Sequence, residues 1–315
     1  MFNRHCQKFK RRIEELKGKT QSLEGLLLEY RNTGDEEIAK QFEKGLERII
    51  QEIEEFKEEF KNKSTKLIEK FIQRRENKDV NVEIIFDEED FRFIINGPLV
   101  FHYRTQLNDF PTLIKEVNGA LVVNYVQILN LRHLKKALEI HASDAQTIDL
   151  SNLEEAKYIY AHRAQILDLT KLKKVLEIYT PYTKIVDLHN LEEAEKIVAD
   201  NAQYIDLSKL RKVKNVYAPN AETIDLFNLE EAEYLYVYNV QTLYAPRARK
   251  LYNLYVYNAQ TINLPNIREI DNVYFNENNP NLESLLNQAR EWKEKGILKG
   301  KIVIMDSLGR CLKEL

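Results

Sequence analysis

The sequence predicts an α+β protein in which an N-terminal antiparallel helical hairpin, a coiled coil, is followed by a parallel β-solenoid with strand and helix caps. Three observations carry that prediction. Apolar residues between Phe2 and Leu67 recur at alternating intervals of three and four, the seam of helices packed lengthwise. From about residue 120 one pattern returns every 19 residues. At two turn positions the sign of the charge alternates from one repeat to the next.

A chain of 315 residues with 43% hydrophobic and 31% charged residues can bury a sizeable core and is expected to fold. No stretch approaches the roughly eighteen apolar residues of a membrane span, and the stretch Met1 to Lys8 lacks the apolar run of a secretory signal. A soluble, cytoplasmic protein with no membrane partner is expected. Cys6 and Cys311, near opposite ends, make neither a disulfide framework nor a zinc site by themselves, which fits a reducing compartment. No glycine lies between Gly119 and Gly296, which excludes a glycine-rich phosphate loop there. Net charge is −3; residues 1–78 hold 19 Lys+Arg against 16 Asp+Glu, leaving 28 against 34 for the rest. That asymmetry is too mild to make a nucleic-acid backbone or an anionic membrane the main partner.

Residues 1–78 form the hairpin. Phe2, Cys6, Phe9, Ile13, Leu16, Thr20, Leu23, Leu27 and Tyr30 make one stripe along a first helix. Asn32-Thr33-Gly34 stops it, and Asp35 stands as N-cap before Glu36 and Glu37, acids suited to the positive end of a second helix. The second stripe comprises Phe42, Leu46, Ile49, Ile53, Phe56, Phe60 and Leu67. At 1.5 Å per residue the helices span about 45 and about 60 Å. Leu26, Leu28, Ile50 and Ile72 widen the apolar surface beyond one seam. A third surface is therefore needed: the body of the chain, a second copy in a homodimer, or another protein. The basic cluster Lys8, Lys10, Arg11, Arg12, Lys17 and Lys19 reads first as a solvated helix face and second as an anion or nucleic-acid contact.

Residues 79–108 read as an N-terminal β cap, with Val80, Val82, Ile84 and Phe86, then Phe91, Phe93 and Ile95, and a turn at Asn96-Gly97-Pro98. The repeats occupy residues 109–277. Asn130, Asp149, Asp168, Asp187, Asp206, Asp225, Tyr244 and Asn263 stand 19 apart. Around Asp206 the apolar positions are Ala202, Ile205, Leu207, Leu210, Val213, Val216, Ala218 and Ala221. Their alternations give two short strands per coil, and their gaps of three give turns. A unit this short closes no core by itself, but stacking turns each apolar column into a continuous interior. The run Leu229, Ala232, Leu235, Val237 and Val240 resembles a short leucine-rich repeat. The chain departs from that family in placing Ala, Thr or Val where an inward Asn is usual, and in using Ile-Asp-Leu as a second strand-like face rather than a regular convex helix. An earlier unit begins at Asp109-Phe110-Pro111-Thr112-Leu113, 21 residues before Asn130, with Asn118-Gly119 accounting for the extra length.

The pairs Lys135-Lys136, Glu154-Glu155, Lys173-Lys174, Glu192-Glu193, Arg211-Lys212, Glu230-Glu231 and Arg249-Lys250 alternate in sign. Coils about 4.8 Å apart thus set opposite charges above one another, and a slip of one coil would set like charges together. Exposed pairs give only ~0.2–1 kcal/mol each, so the pattern specifies register more than it adds stability. It also makes 38 residues the deeper repeat. Residues 278–315 cover the far end of the stack. They supply a helix from Asn281 to Lys295, ended by Gly296 and carrying Trp292 inward, and a hairpin joining Ile302-Val303-Ile304 to Cys311-Leu312.

Two exposed columns are candidate protein-binding sites. One holds His141, Tyr160, Tyr179, Val198, Tyr217, Tyr236, Tyr255 and Tyr274, with Tyr238 and Tyr257 two residues on. Tyrosine suits a contact surface, through its large area and hydrogen-bonding tip, and equally a cross-strand stack. The other column, Asp149, Asp168, Asp187, Asp206 and Asp225, costs ~0.9 kcal/mol per neighbouring pair in water. Hydrogen bonds to turn backbone are the favoured compensation; a basic protein surface or calcium are the others. The six histidines lack metal-ligand spacing, and neither cysteine neighbours a base motif. No catalytic residue, metal or cofactor is expected. The expected function is a non-enzymatic protein-binding scaffold or inhibitor, in which Tyr217, Tyr236 and Tyr255 are central and Asp168, Asp187 and Asp206 steer a basic partner. The second expectation is a nucleic-acid-associated factor. It would touch phosphate through the first helix and bases through the tyrosines, or imitate nucleic acid with its Asp column to block a nuclease such as a host defence enzyme.

Overall fold

The computed structural model describes residues 2–33, 35–72, 81–88, 92–101, 113–123 and 126–315. The first helix, α1, spans Phe2–Thr33 and the second, α2, Glu36–Ile72. Asp35 caps α2, its Oδ1 accepting the Ile38 N–H at 3.3 Å. The seam closes through aromatic stacking: Phe9 lies 3.8 Å from Phe60 and 4.9 Å from Phe56, centroid to centroid, and Tyr30 lies 5.4 Å from Phe42. Arg12 adds a 2.7 Å bond across to Glu52. The third surface is supplied in part by the body of the chain, because Phe60 reaches the Phe86 ring of the first strand at 6.2 Å. Leu28 and Ile50 remain 65% and 46% exposed. Gly34 and the side chains of Phe2, Cys6, Lys10 and Ile72 lie outside what is described.

The first strand, β1 (Glu83–Asp87), runs antiparallel to β2 (Arg92–Asn96). Both β2 and β3 (Leu99–Phe101) then pair in parallel with β4 (Ile114–Val123). Asn96-Gly97-Pro98 is therefore no chain reversal, as a turn there suggested, but a kink within one rung. Its cause is a nesting of two irregularities. Gly97 has φ +133°, and the register of β4 slips between Val117 and Ala120, so Asn118-Gly119 absorbs an extra residue as a bulge. A Cβ on Gly119 would stand 2.4 Å from the Gly97 carbonyl carbon and oxygen, so only glycine lets the two kinks meet. Val80, Phe91 and Asp109 to Thr112 lie outside the described residues.

From β4 onward the chain winds in coils. Among the described residues the longer rungs join the cap strands in a 14-stranded sheet, almost wholly parallel, whose register steps by 19: Val216 beside Leu235 beside Leu254, and Lys212 beside Glu231 beside Lys250. The short strands, from Ile128–Asn130 to Thr261–Asn263, form separate parallel sheets of three, three and two strands. Residues 126–277 contain strands and turns and no helix. Ile148, Leu150, Leu153 and Ile159, with their counterparts one coil on, line a continuous buried core. The charge ladder closes as the alternation requires, with Lys136 to Glu155 at 3.1 Å, Lys174 to Glu193 at 2.9 Å, Lys212 to Glu231 at 3.0 Å and Lys250 to Glu269 at 2.6 Å.

The far end is covered by α3 (Leu282–Glu294), with Lys295 as C-cap and Gly296 at φ +69°. Leu285, Ala289 and Trp292 are buried against the last coil. Ile302–Met305 continues the large sheet in parallel, and Cys311–Glu314 folds back antiparallel to close it. Three substitutions test this packing. Gly119→Ala should lower the urea midpoint by an equivalent of about 1–3 kcal/mol, because backbone and not a flexible side chain must move. Gly25→Ala, on an open helix face, should be neutral or stabilising by up to ~1 kcal/mol. Lys212→Glu, which sets acid beside Glu193 and Glu231, should cost on the order of 1 kcal/mol in low salt, and the loss should largely vanish in molar salt.

Candidate functional site

The alternating pattern of each long rung turns Tyr217 outward while Val216 and Ala218 are buried. Parallel register then places Tyr217, Tyr236, Tyr255 and Tyr274 side by side. Ring centroids lie 5.4 Å apart for Tyr217 and Tyr236, 4.2 Å for Tyr236 and Tyr255, and 4.0 Å for Tyr255 and Tyr274. Tyr238 and Tyr257 run beside them at 4.2 Å with planes 6° apart. From Tyr236 onward the rings are nearly parallel, so they cover one another's faces and turn edges and hydroxyls outward. Burial, followed by the hydrogen bond with Tyr274, raises the Tyr255 pKa well above its ordinary value; burial does the same for Tyr238, with Tyr257 adding to it. Their hydroxyls are therefore neutral donors and acceptors.

The predicted column divides in two. Val198 is buried and separates Tyr217 from Tyr179. On the near side Tyr160 stacks on His141 at 4.9 Å, and Tyr179 lies 4.6 Å from His162. Sequence reasoning missed Tyr234, whose ring lies parallel to Tyr236 at 6.1 Å, and an asparagine run in the same rungs. Asn272 donates to Asn253 Oδ1 at 3.0 Å, and the Tyr274 hydroxyl donates to the same oxygen at 3.3 Å. The available signal was the column nine residues after each aligned position, Asn215, Tyr234, Asn253 and Asn272.

The Asp column lies on the short sheets, a different face from the tyrosine ridge. Each carboxylate accepts the N–H two residues on: Ser151 to Asp149 and Thr170 to Asp168 at 3.1 Å, His189 to Asp187 at 3.2 Å, and Ser208 to Asp206 and Phe227 to Asp225 at 2.9 Å. Turn backbone thus compensates the like-charge repulsion. In the basic cluster Lys8, Lys17 and Lys19 are exposed, while Arg11 pairs with Glu15 at 3.5 Å and Arg12 with Glu52 at 2.7 Å. The Lys10 side chain lies outside the described ones.

Among the described residues no group of three or more His, Cys, Asp or Glu could hold a metal ion, and no helix is long and apolar enough to cross a membrane. These observations define the class: a capped parallel β-solenoid of 19-residue coils, consistent with leucine-rich-repeat-like stacking, with aromatic and acidic columns on separate faces. In comparisons with family models, curated proteins and solved structures, no family model, curated protein or solved structure matches the chain.

Two predictions test this geometry. Asp206→Ala should destabilise by about 1 kcal/mol through loss of the turn bond, whereas Asp206→Asn keeps the acceptor, relieves repulsion with Asp187 and Asp225, and should be neutral or stabilising in thermal unfolding. Because Tyr238 and Tyr255 have raised pKa values in the folded state against about 10 in the unfolded chain, their contribution to stability is present below about pH 10 and is lost as pH rises beyond it. A phenolate absorbance titration should show a fraction ionising late, shrinking in Tyr238→Phe and Tyr255→Phe. Uniform titration near about pH 10 with the circular dichroism unchanged would contradict the half-buried, mutually packed ridge.

Proposed function

We propose that this chain is a non-enzymatic protein-binding scaffold or inhibitor, a leucine-rich-repeat-like module of the cytoplasm that recognises a partner through the ridge at Tyr217, Tyr236, Tyr255 and Tyr274. The observation that carries this reading is the unbroken register of those four residues on an outer sheet face, thickened by Tyr234, Tyr238 and Tyr257. Rings already held by their strands and by one another lose little freedom on binding, and large amphipathic anchors of this kind dominate protein interfaces. The mechanism is occlusion or bridging. The ridge engages one protein, and exposed Leu28 and Ile50 on the hairpin leave room for a second contact, with another protein or a second copy of the chain. Asp168, Asp187 and Asp206, on the other face, steer a basic partner at longer range.

A nucleic-acid role has less support. Bases stack on open aromatic faces, and from Tyr236 to Tyr274 neighbouring rings already occupy those faces. Arg11 and Arg12 are spent on Glu15 and Glu52.

Affinity capture with quantitative mass spectrometry, comparing the intact chain with a Tyr217→Ala, Tyr236→Ala, Tyr255→Ala variant and with a chain lacking residues 1–78, tests the proposal. The triple variant, if natively folded by circular dichroism, should lose its specific protein partners by at least about tenfold, as expected for hot-spot truncation. Retention of every captured protein removes the ridge from consideration. Steeply salt-dependent binding to DNA or RNA that the triple variant abolishes would favour the nucleic-acid role instead.

A further inference from the structure

A second surface, lined by none of the ridge tyrosines, runs along the turns that lead from the long rungs into the short strands. It is an open groove of about 1120 Å³. One wall is the column Gln146, Gln165, Lys184, Gln203 and Glu222. Backbone bonds hold these residues one coil apart, as in Gln165 N–H to Gln146 O at 2.8 Å and Gln203 N–H to Lys184 O at 2.8 Å. At ~4.8 Å per coil the wall extends about 19 Å. The facing wall is rigid because Asn201, Asn220 and Asn239 donate their amides to the carbonyls of Pro181, Asp200 and Pro219 at 2.7, 2.7 and 2.9 Å.

Two features are left unspent. Among the described residues, the exposed side-chain amides of Gln146, Gln165 and Gln203 make no hydrogen bond to another protein group. Tyr182 is 59% exposed and, among the described residues, has no ring stacked on it, unlike the ridge tyrosines. The lining is also close to neutral. Arg163 is paired with Asp144 at 3.5 Å, and Lys184 and Glu222 are of opposite sign.

We infer that this groove is a binding site for a neutral oligosaccharide lying along the stack, with a pyranose face on Tyr182 and hydroxyls bonded by Gln146, Gln165 and Gln203. The chemistry selects this class. A primary amide offers both donors and an acceptor, matching hydroxyl groups that are themselves both. An open aromatic face suits the C–H face of a sugar ring. A polyanion would need an excess of basic residues that the groove lacks, and an extended peptide would need a free strand edge or apolar side-chain pockets, neither of which lines it. Coil spacing gives repeated contacts to a repeating ligand.

An array of immobilised neutral glycans (α- and β-glucans, mannans, xylans and chitin oligomers), followed by calorimetry with the soluble hexasaccharide of the strongest binder, tests this directly. One neutral class should bind, with affinity reduced at least about tenfold by Tyr182→Ala and by the paired Gln165→Ala, Gln203→Ala variant. Tyr182→Phe, which keeps the ring, should bind within about threefold of the parent, and Tyr236→Ala with Tyr255→Ala should leave binding unchanged. These variants sit on exposed turns or the other surface, and circular dichroism verifies each fold. Absence of any neutral binder, binding only to charged glycans, or binding that survives both groove variants overturns the assignment, whatever becomes of the protein-binding ridge.

Discussion

Closure of each coil after nineteen residues is the constraint on which the rest of the molecule depends. Parallel backbone hydrogen bonds lock one coil to the next, and residues nineteen apart become neighbours in a column. An inward column must then be apolar or internally satisfied. Thr180 and Thr183 show the second case: they occupy a buried corner where Ala or Val stands in other coils, and they are hydrogen-bonded to each other, with Thr183 also donating to the Ala164 carbonyl at 2.8 Å. Extra residues are tolerated where a bulge can absorb them, as Gly97 and Gly119 do beneath the first regular coil.

The outward columns obey a different balance. Basic and acidic residues that alternate from coil to coil attract along the whole stack, yet each pair is solvent-exposed and weak, so the ladder chiefly sets register. The aspartates are the opposite case, like charges stacked in neighbouring coils. They persist because each carboxylate caps its own turn. Asparagine does the same across coils, with Asn152, Asn190 and Asn228 donating to the carbonyls of Arg132, Thr170 and Ser208 at 2.6, 2.6 and 2.5 Å. Polar residues that look like a binding surface in sequence are thus divided into those consumed by the architecture and those left open.

That division separates the candidate surfaces. The tyrosine ridge is partly consumed, since its rings stabilise one another, but its edges and hydroxyls face outward as a preorganised contact strip. The glutamine corner is hardly consumed at all. Its column is as periodic in sequence as the tyrosines, but amides carry no hydrophobic signal, and periodicity alone does not distinguish a free amide from a turn staple. Neither does it reveal that Tyr160 and Tyr179, beyond the interruption at Val198, pack with His141 and His162 rather than with the main ridge.

Sequence by itself determined the helical hairpin, the coil length, the inward columns, the charge ladder and the terminal caps, because each follows from a repeating spacing that local geometry converts into one face. Tertiary structure alone decided that Asn96-Gly97-Pro98 kinks a rung instead of reversing it, that Tyr160 and Tyr179 pack with His141 and His162, and that Phe60 docks the hairpin on Phe86. The physical reason is that spacing fixes which residues share a column. Ring orientation, hydrogen-bond partners and the meeting of two kinks depend on atoms brought together from different coils, and no periodicity encodes them.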